Sequence, residues 1–260
     1  HSLRDLAPLQ ERLRQLRLRP SGTSSVVIVG AGATGVELAC KLVDLLEGAA
    51  QVHLVDQGDQ ILARSRAFNR EQAERALKRR GSNVHLKTRV LSVKPDSVRW
   101  NGIEGDVEQA HDGLIWTAGS KPNIPDLHPS AELHQKRLPV DQTLRLQGQP
   151  DVLALGDIAT HAPKDEGQTP WPLSAQAAIQ QGQAAARTLE AHLKGGTPSP
   201  FIFQDLGEML SLGISDATIT GMGMTLAGPL AFKIRRLAYL TRLPGLSLGL
   251  RSAGAWLLGS

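Results

Sequence analysis

The sequence predicts an α/β fold in which a parallel sheet is accompanied by a small antiparallel meander. The β-branched run at residues 26–29 passes directly into a glycine-rich turn and then into a helical run that ends near residue 46. A second apolar run, residues 52–55, follows that helix at the spacing of a strand–helix–strand unit. Several short β-type runs then follow one another within residues 84–119. Together these runs predict the sheet and the meander.

The glycine-rich turn has the pattern Gly30-x-Gly32-x-x-Gly35. In a Rossmann-like turn the first glycine permits the tight bend, the second lets the backbone approach a pyrophosphate, and the third lets the helix pack on the strand. The amides and dipole of the helix N-terminus then face the anion. Because a strand precedes the motif and a helix follows it, we predict a dinucleotide site. The alternative is a glycine-rich turn that binds nothing.

The second strand ends at Asp56, about twenty residues beyond the last glycine, where a carboxylate can accept hydrogen bonds from an adenosine ribose. This position favours NADH. An NADPH site more often has an arginine just after this strand, whereas the first arginine after this strand is Arg64. The alternative for Asp56 is a solvated carboxylate at the end of a strand.

The composition is that of an ordinary globular protein, with 260 residues, 41% hydrophobic and 21% charged. No apolar run approaches the roughly 18 residues of a membrane span. Cys40 is the only cysteine, which excludes a disulfide framework and a Cys-x-x-Cys redox pair. The eight histidines lack zinc-ligand spacing, so no metal site is expected. The chain begins with His1, as an excised piece of a longer protein would, and a targeting signal cannot be judged from it.

The remaining elements follow from periodicity and from helix-ending residues. A charged helix is predicted over residues 5–17 and another over residues 68–80, closed by Gly81. Strands are predicted at residues 84–86, 90–93, 97–100, 105–109, 114–119 and 152–155. A long helix begins near Pro172, with Ser174 as its cap, and ends before residue 195.

The C-terminal stretch is basic, with no Asp or Glu from residue 217 to residue 260. Its positive charges are Lys233, Arg235, Arg236, Arg242 and Arg251. Apolar residues at positions 230, 234, 237 and 240 share one helical face. Such a segment can lie in a membrane interface, although a helix packed on its own domain would show the same pattern. Nucleic-acid binding is not expected, because aromatic residues are only 3% of the chain.

Several motifs together resemble the two-dinucleotide flavoproteins. They are the glycine motif with Glu37, the run Trp-Thr-Ala-Gly ending at Gly119, and Leu-Gly-Asp ending at Asp157. The run from Ala175 to Gln180 resembles the Ala-Gln-x-x-x-Gln quinone motif of the type II NAD(P)H:quinone oxidoreductases. The tail, from residue 206 onward, is similar to their cyanobacterial and plastid branch, the demethylphylloquinone reductases.

The resemblance implies an FAD-dependent, non-pumping enzyme that transfers a hydride from NADH, or from NADPH, to FAD and then two electrons to a membrane quinone. Gly119, Gly156, Asp157 and Ala175 are the further cofactor-binding residues that it implies. In isolation, the alternative for Asp157 is a turn residue or a helix cap. Members of the family begin with an FAD-binding strand–turn–helix that this sequence lacks. We therefore expect an incomplete FAD site and little activity from the chain alone.

Three residues are candidates for the reaction itself. The resemblance places Glu37 near the nicotinamide, whereas an acidic residue in the first helical turn that complements the helix dipole is the alternative. Gln176 and Gln180 lie four residues apart on one helical face, which Gln183 continues. Their amides could hydrogen-bond quinone carbonyls, and the alternative is that they are ordinary surface residues.

The expected domains are a linker helix (1–23), an NAD(P)H domain (24–118), the C-terminal part of an FAD domain with the quinone helix (119–196) and an amphipathic, helical membrane-association region (197–260).

The expected location is a membrane surface on the cytoplasmic or stromal side, such as a thylakoid, with a homodimer possible through the apolar tail. A ferredoxin or rubredoxin reductase is the alternative enzyme, and a nucleotide-binding or membrane-docking module without catalysis is the alternative for this chain alone. The glutamines do not discriminate demethylphylloquinone from plastoquinone or menaquinone.

Overall fold

The computed structural model describes residues 6–161, 170–240, 243 and 245–258. The chain divides into two compact units, of which unit 1 comprises residues 1–119 and 206–260 and unit 2 comprises residues 120–205. The predicted helix start at Asp5, and the tail residues Arg242 and Pro244, lie outside the described residues.

Unit 1 is built on a four-stranded parallel sheet in the order β3-β2-β1-β7. Its strands are β1 (Ser24–Val29), β2 (Ala50–Val55), β3 (Asn83–His85) and β7 (Gly113–Trp116). The N-terminal part of the same unit also contributes the helices α1 (Leu6–Arg17), α2 (Ala33–Leu46) and α3 (Ala67–Arg79). The register pairs Val29 with Val55 on one side and with Trp116 on the other, so the carboxyl ends of three strands meet at one edge. The predicted α/β, Rossmann-like fold class is confirmed.

The two faces of this sheet have separate apolar cores. On one face Ile28 and Leu54 pack with residues of α2 and α3, among them Val36 and Leu77. The predicted antiparallel meander covers the other face with β4 (Arg89–Val93), β5 (Ser97–Gly102) and β6 (Gly105–Ala110). There Trp100 of the meander joins a buried cluster with valines of β1 and β2. Because β1 is covered on both faces, its run of consecutive apolar residues is explained.

Residues 206–260 contain more than the helical segment expected from the sequence. A three-stranded antiparallel sheet comes first, formed by β12 (Glu208–Ser211), β13 (Ala217–Gly221) and β14 (Met224–Ala227). Helices α5 (Pro229–Leu240) and α6 (Leu246–Leu258) follow. Buried Asn69 of α3 holds this sheet, since its amide oxygen accepts hydrogen bonds from the hydroxyls of Thr218 and Thr220 and its amide nitrogen donates to Glu208.

Unit 2 has short strands and one long helix. The strands are β8 (Leu138–Pro139), β9 (Arg145–Leu146), β10 (Gln149–Leu153) and β11 (Ala159–Thr160). The helix is α4 (Ala175–Leu193), and the predicted cap is confirmed because the Ser174 hydroxyl accepts a hydrogen bond from the amide of Ala177. Within the described part of the chain, no helix has both the length and the apolarity needed to cross a membrane.

Candidate functional site: a nucleotide cavity at the sheet edge

The glycine-rich turn joins β1 to α2, and two of its glycines are required by the protein's own packing. Gly30 has φ of +107°, and a Cβ there would lie 2.8 Å from the amide nitrogen of Ala118. A Cβ on Gly35 would lie 1.8 Å from the carbonyl oxygen of Gly30, so only glycine lets the helix approach the strand this closely. Both residues therefore have the roles that the sequence motif predicts.

Gly32 is different, because a Cβ there would have no protein atom within 4 Å. Its φ of −73° is also accessible to other residues. Gly32 is the N-cap of α2, and no side chain caps this helix. The first amides of α2 are therefore open to an anionic ligand, and the space beside Gly32 is the space that a side chain would take from it.

The Trp-Thr-Ala-Gly run begins at the last residue of β7 and forms hydrogen bonds with the same turn. The Thr117 hydroxyl lies 2.9 Å from the carbonyl oxygen of Val29 and 3.0 Å from that of Gly30, to which it donates. The Trp116 indole nitrogen donates to the carbonyl oxygen of Ala118 over 2.8 Å. Gly119 then has φ of +73°, a conformation that favours glycine.

Asp56 lies at the end of β2, as the sequence predicts, and its carboxylate is fixed by backbone amides. One oxygen accepts from the amide of Ala31 over 2.6 Å, and the other accepts from the amide of Gly58 over 2.7 Å. Each oxygen can accept a further hydrogen bond, because a carboxylate offers about four acceptor sites. The geometry thus fits a carboxylate that is held in place to receive ribose hydroxyls.

These elements surround one cavity of about 310 Å³, named here the nucleotide cavity. The ends of β1, β2 and β7 line it through Gly30, Asp56, Trp116 and Gly119, and residues 88–90 of the meander close it. The cavity lies outside the carboxyl ends of parallel strands, where α/β sheets bind their ligands. Thr88, Arg89 and Val90 were not anticipated, because a β-type run far along the chain carries no signal that it returns to this edge.

Glu37 is tied to the C-terminal part of unit 1. Its carboxylate accepts the amide of Ser211 over 2.7 Å and the guanidinium of Arg235 over 3.1 Å. Glu37 lies in the second turn of α2, so the alternative of a first-turn residue that complements the helix dipole is wrong. Neither partner could be inferred locally, because each lies more than 170 residues away.

Burial disfavours the charged forms of one cysteine and two histidines in unit 1. Burial raises the pKa of the Cys40 thiol to about 12, which removes it from thiolate chemistry at neutral pH. His53 of β2 and His85 of β3 stack with their ring centroids 5.3 Å apart. Burial, with the neighbouring His85, lowers the pKa of His53 to about 4, and burial also lowers the pKa of His85.

In unit 2 the predicted quinone residues lie on α4, and Gln180 already has a structural task. Its amide nitrogen donates to the carbonyl oxygen of Gln204 over 2.8 Å, and its amide oxygen accepts the Gln204 amide over 3.0 Å. Gln176 is half-buried one turn earlier, and Gln183 is exposed. The buried Gln181 was overlooked, although its side-chain oxygen accepts the Gly156 amide over 2.7 Å.

The residues predicted to contact FAD also lie in unit 2. Gly156, with φ of +71°, begins a single 3-10 turn (Gly156–Ile158), and the next residue, Asp157, is exposed. Ala175 is the first residue of α4 and is exposed. Gly156 has a positive φ, its amide is held by Gln181, and an exposed carboxylate follows it. This arrangement fits a loop that meets a polar cofactor chain.

Similarity to known proteins identifies the family of this chain. The pyridine nucleotide-disulphide oxidoreductase family matches residues 4–182, more than half of the chain. The chain belongs to this family. The type II NAD(P)H:quinone oxidoreductases, recognised above from the motifs, are confirmed as the relatives within it.

Two curated relatives of the chain have names that include a quinone. The chain is 34% identical to demethylphylloquinone reductase NdbB of Synechocystis sp., over 98% of this chain and 65% of that protein. It is 32% identical to the alternative NAD(P)H-ubiquinone oxidoreductase C1, chloroplastic/mitochondrial, of Arabidopsis thaliana, over 94% of this chain and 51% of that protein. The chain therefore spans between half and two thirds of the length of these relatives.

Solved structures support the fold. The structure of NDH2 from Plasmodium falciparum in complex with NADH superposes with a TM-score of 0.75 at 15% identity, over 90% of this chain and 66% of that one. At this identity the likeness concerns the fold alone. The family implies binding of FAD and NAD(P)H.

Proposed function

We propose that the complete protein is an NAD(P)H:quinone oxidoreductase without proton pumping, in which unit 1 of this chain binds the coenzyme. The chemistry that FAD supplies when bound is acceptance of a hydride from the coenzyme and delivery of two electrons to the quinone. The residues of the chain bind and orient the partners and exclude water. The relative from Synechocystis is named a demethylphylloquinone reductase, and demethylphylloquinone is therefore the quinone that we propose.

One observation carries the coenzyme site. Gly30 and Gly35 are explained by close contacts within the protein, whereas Gly32 borders open space at an uncapped helix start. A pyrophosphate lying beside Gly32 would accept hydrogen bonds from the first amides of α2, and it explains why no side chain is present. Asp56, held by two backbone amides, would then accept the ribose hydroxyls of the same ligand.

The chain's own groups at the other steps are proposed as follows. Gly156, Asp157 and Ala175 would contact FAD, with Asp157 directed to its ribityl-phosphate region. Glu37 would orient the nicotinamide carboxamide while its carboxylate stays paired with the Arg235 guanidinium, 3.1 Å away. Gln176 and Gln180 would donate hydrogen bonds to quinone carbonyls; for Gln180 this requires that the amide leave or share its bonds to Gln204.

The surface of α5 supports docking on a membrane. Leu230 and Leu237 are 58% and 61% exposed, and Leu250 of α6 is 72% exposed. Exposed apolar side chains in a segment with basic but no acidic residues, 217–260, suit an interface that contains anionic lipids. The basic face is smaller than the sequence indicates, because Arg235 pairs with Glu37 and the Arg236 guanidinium lies 4.3 Å from the Trp256 ring centroid.

The test is steady-state NADH oxidation by the complete, flavin-loaded protein with a naphthoquinone acceptor. Wild type is compared with the Gln176→Ala, Gln180→Ala double variant, and Leu189→Ala, at an exposed position on another face of the same helix, is the control. We expect the double variant to lose quinone turnover while NADH still reduces the flavin, and the control to keep both.

Two results would contradict the proposal. Unchanged turnover in the double variant would remove these glutamines from the mechanism. No quinone turnover by wild type, together with turnover of a ferredoxin or rubredoxin, would favour a reductase for protein acceptors. Because Gln180 also holds Gln204, the unfolding midpoint of each variant is measured in parallel.

A further inference from the structure

The nucleotide cavity contains an unpaired cation that the glycine motif does not explain. Of the described residues that line the cavity, Arg89 alone is cationic. Its side chain is exposed at the start of β4 and makes no hydrogen bond or ion pair with the described residues. A guanidinium without a protein partner beside an anion-binding turn is available to a phosphate.

The backbone fixes Arg89 next to the ribose end of the cavity. The Asp56 amide donates to the carbonyl oxygen of His85 over 2.9 Å, and the Thr88 amide donates to the carbonyl oxygen of Asp56 over 2.9 Å. The Lys87 amide donates to the carbonyl oxygen of Gly58 over 2.7 Å. Residues 85–88 thus lie alongside residues 56–58, and Arg89 follows at once.

The charge of Asp56 is partly offset at this end of the cavity. Both of its oxygens accept backbone amides, whose dipoles oppose its negative charge. A 2′-phosphate is disfavoured by a nearby carboxylate, and the usual remedy is an arginine just after the second strand. Here Gln57 and Gly58 stand at that position.

Other arginines near the turn after β2 do not line the cavity. Arg64 is exposed outside it. Arg70 is bound by the side-chain oxygen of Gln60, 2.7 Å away, and by the carbonyl oxygen of Ser65, 3.1 Å away. Among these arginines, the position of Arg89 alone suits a phosphate on the ribose.

We propose that Arg89 is the residue that determines coenzyme specificity, with its guanidinium binding the 2′-phosphate of NADPH. The 2′-hydroxyl of NADH would instead donate to Asp56, so the same site accepts both coenzymes. Specificity is then set from the meander rather than from the end of β2. This inference rests on the proposed coenzyme site and is independent of the quinone.

The test is isothermal titration of the chain with NADH and with NADPH, for wild type, Arg89→Ala and the control Arg64→Ala. No flavin or quinone is needed, because the readout is binding. We expect Arg89→Ala to weaken NADPH binding about ten- to a hundredfold, the size of a charge-assisted contact, and to leave NADH binding within about threefold. Arg64→Ala should leave both affinities unchanged.

The possible failures are distinguishable. If Arg89→Ala weakens both coenzymes equally, Arg89 binds a group that they share, and the inference is wrong. If wild type binds NADH but not NADPH, or if Arg89→Ala changes neither affinity, the inference is also wrong, while the coenzyme site stands. If wild type binds neither coenzyme, the proposed coenzyme site itself fails.

Discussion

The turn between β1 and α2 and the helix α4 were both identified by motifs, yet the structure uses their residues differently. In the turn, the motif residues act through the backbone: Gly30 permits the tight bend, and Gly35 lets α2 pack closely against β1. On α4, the motif residues act through side-chain amides, and that of Gln180 is bonded to the backbone of Gln204, 24 residues away. A backbone motif fixes its own geometry, whereas a side-chain motif depends on what the fold brings to it.

The largest effect is expected when one methyl group is added to the turn. Gly35→Ala would place Cβ 1.8 Å from the carbonyl oxygen of Gly30, so α2 must move off β1. We expect the free energy of unfolding to fall by about 3 kcal/mol. Gly32→Ala is the matched control and should change it by less than about 1 kcal/mol, because its Cβ meets no protein atom. Urea denaturation measures both, and equal losses would refute the distinction between the two glycines.

A lower pH should destabilise unit 1 without a mutation, because the His53–His85 pair belongs to that unit. The pKa of His53 in the folded state, about 4, lies below its ordinary value of 6.5. The unfolded chain therefore binds the proton more readily, and stability falls as the pH drops from 6.5 towards 4. For His53 alone, we expect a loss of about 2 kcal/mol at pH 5, and none above pH 7.5.

The measurement for this effect is urea denaturation of the chain between pH 5 and pH 8. His53→Gln should flatten the pH profile, whereas His134→Ala, at an exposed position of unit 2, should not alter it. A profile that stays steep in His53→Gln would assign the effect to another group.

A smaller effect is expected on α4. Gln180→Ala removes two hydrogen bonds to the Gln204 backbone and should destabilise unit 2 by about 1–2 kcal/mol. Gln183→Ala, exposed on the same helix, should stay within about 0.5 kcal/mol. Thermal unfolding by circular dichroism compares them, and equal stability of the two variants would show that the Gln204 contact contributes nothing.

The smallest effect is expected at Glu37, which belongs to the motif of the turn but is tied to the C-terminal segment. Glu37→Gln loses the charge of the half-buried pair with Arg235 while an oxygen remains to accept the Ser211 amide. We expect a loss of about 1 kcal/mol. Glu71→Gln removes an exposed pair with Arg75 and should cost less than about 0.5 kcal/mol. Chemical denaturation with matched buffers measures both, and an equal cost would make the Arg235 pair an ordinary surface pair.

The parts of the fold that the sequence predicts are those set by neighbours in the chain. The parallel sheet, the meander and the Ser174 cap follow from apolar periodicity, turn residues and a local hydrogen bond. The sheet β12–β14 was missed, because its strands are short and Asn69 of α3, which holds them, is about 140–150 residues away. Arg89 was missed for the same reason, since only the folded meander brings it to the nucleotide cavity.

In the proposed dinucleotide site of unit 1, the pyrophosphate occupies the open space beside Gly32. The most direct test is isothermal titration of NADH into wild type and into Gly32→Val, with the fold of each checked by circular dichroism. We predict one saturable site per chain in wild type and at least a tenfold weaker affinity in the folded variant, because the valine side chain occupies the phosphate position. Equal affinity in both proteins, or no saturable binding in wild type, would contradict the claim.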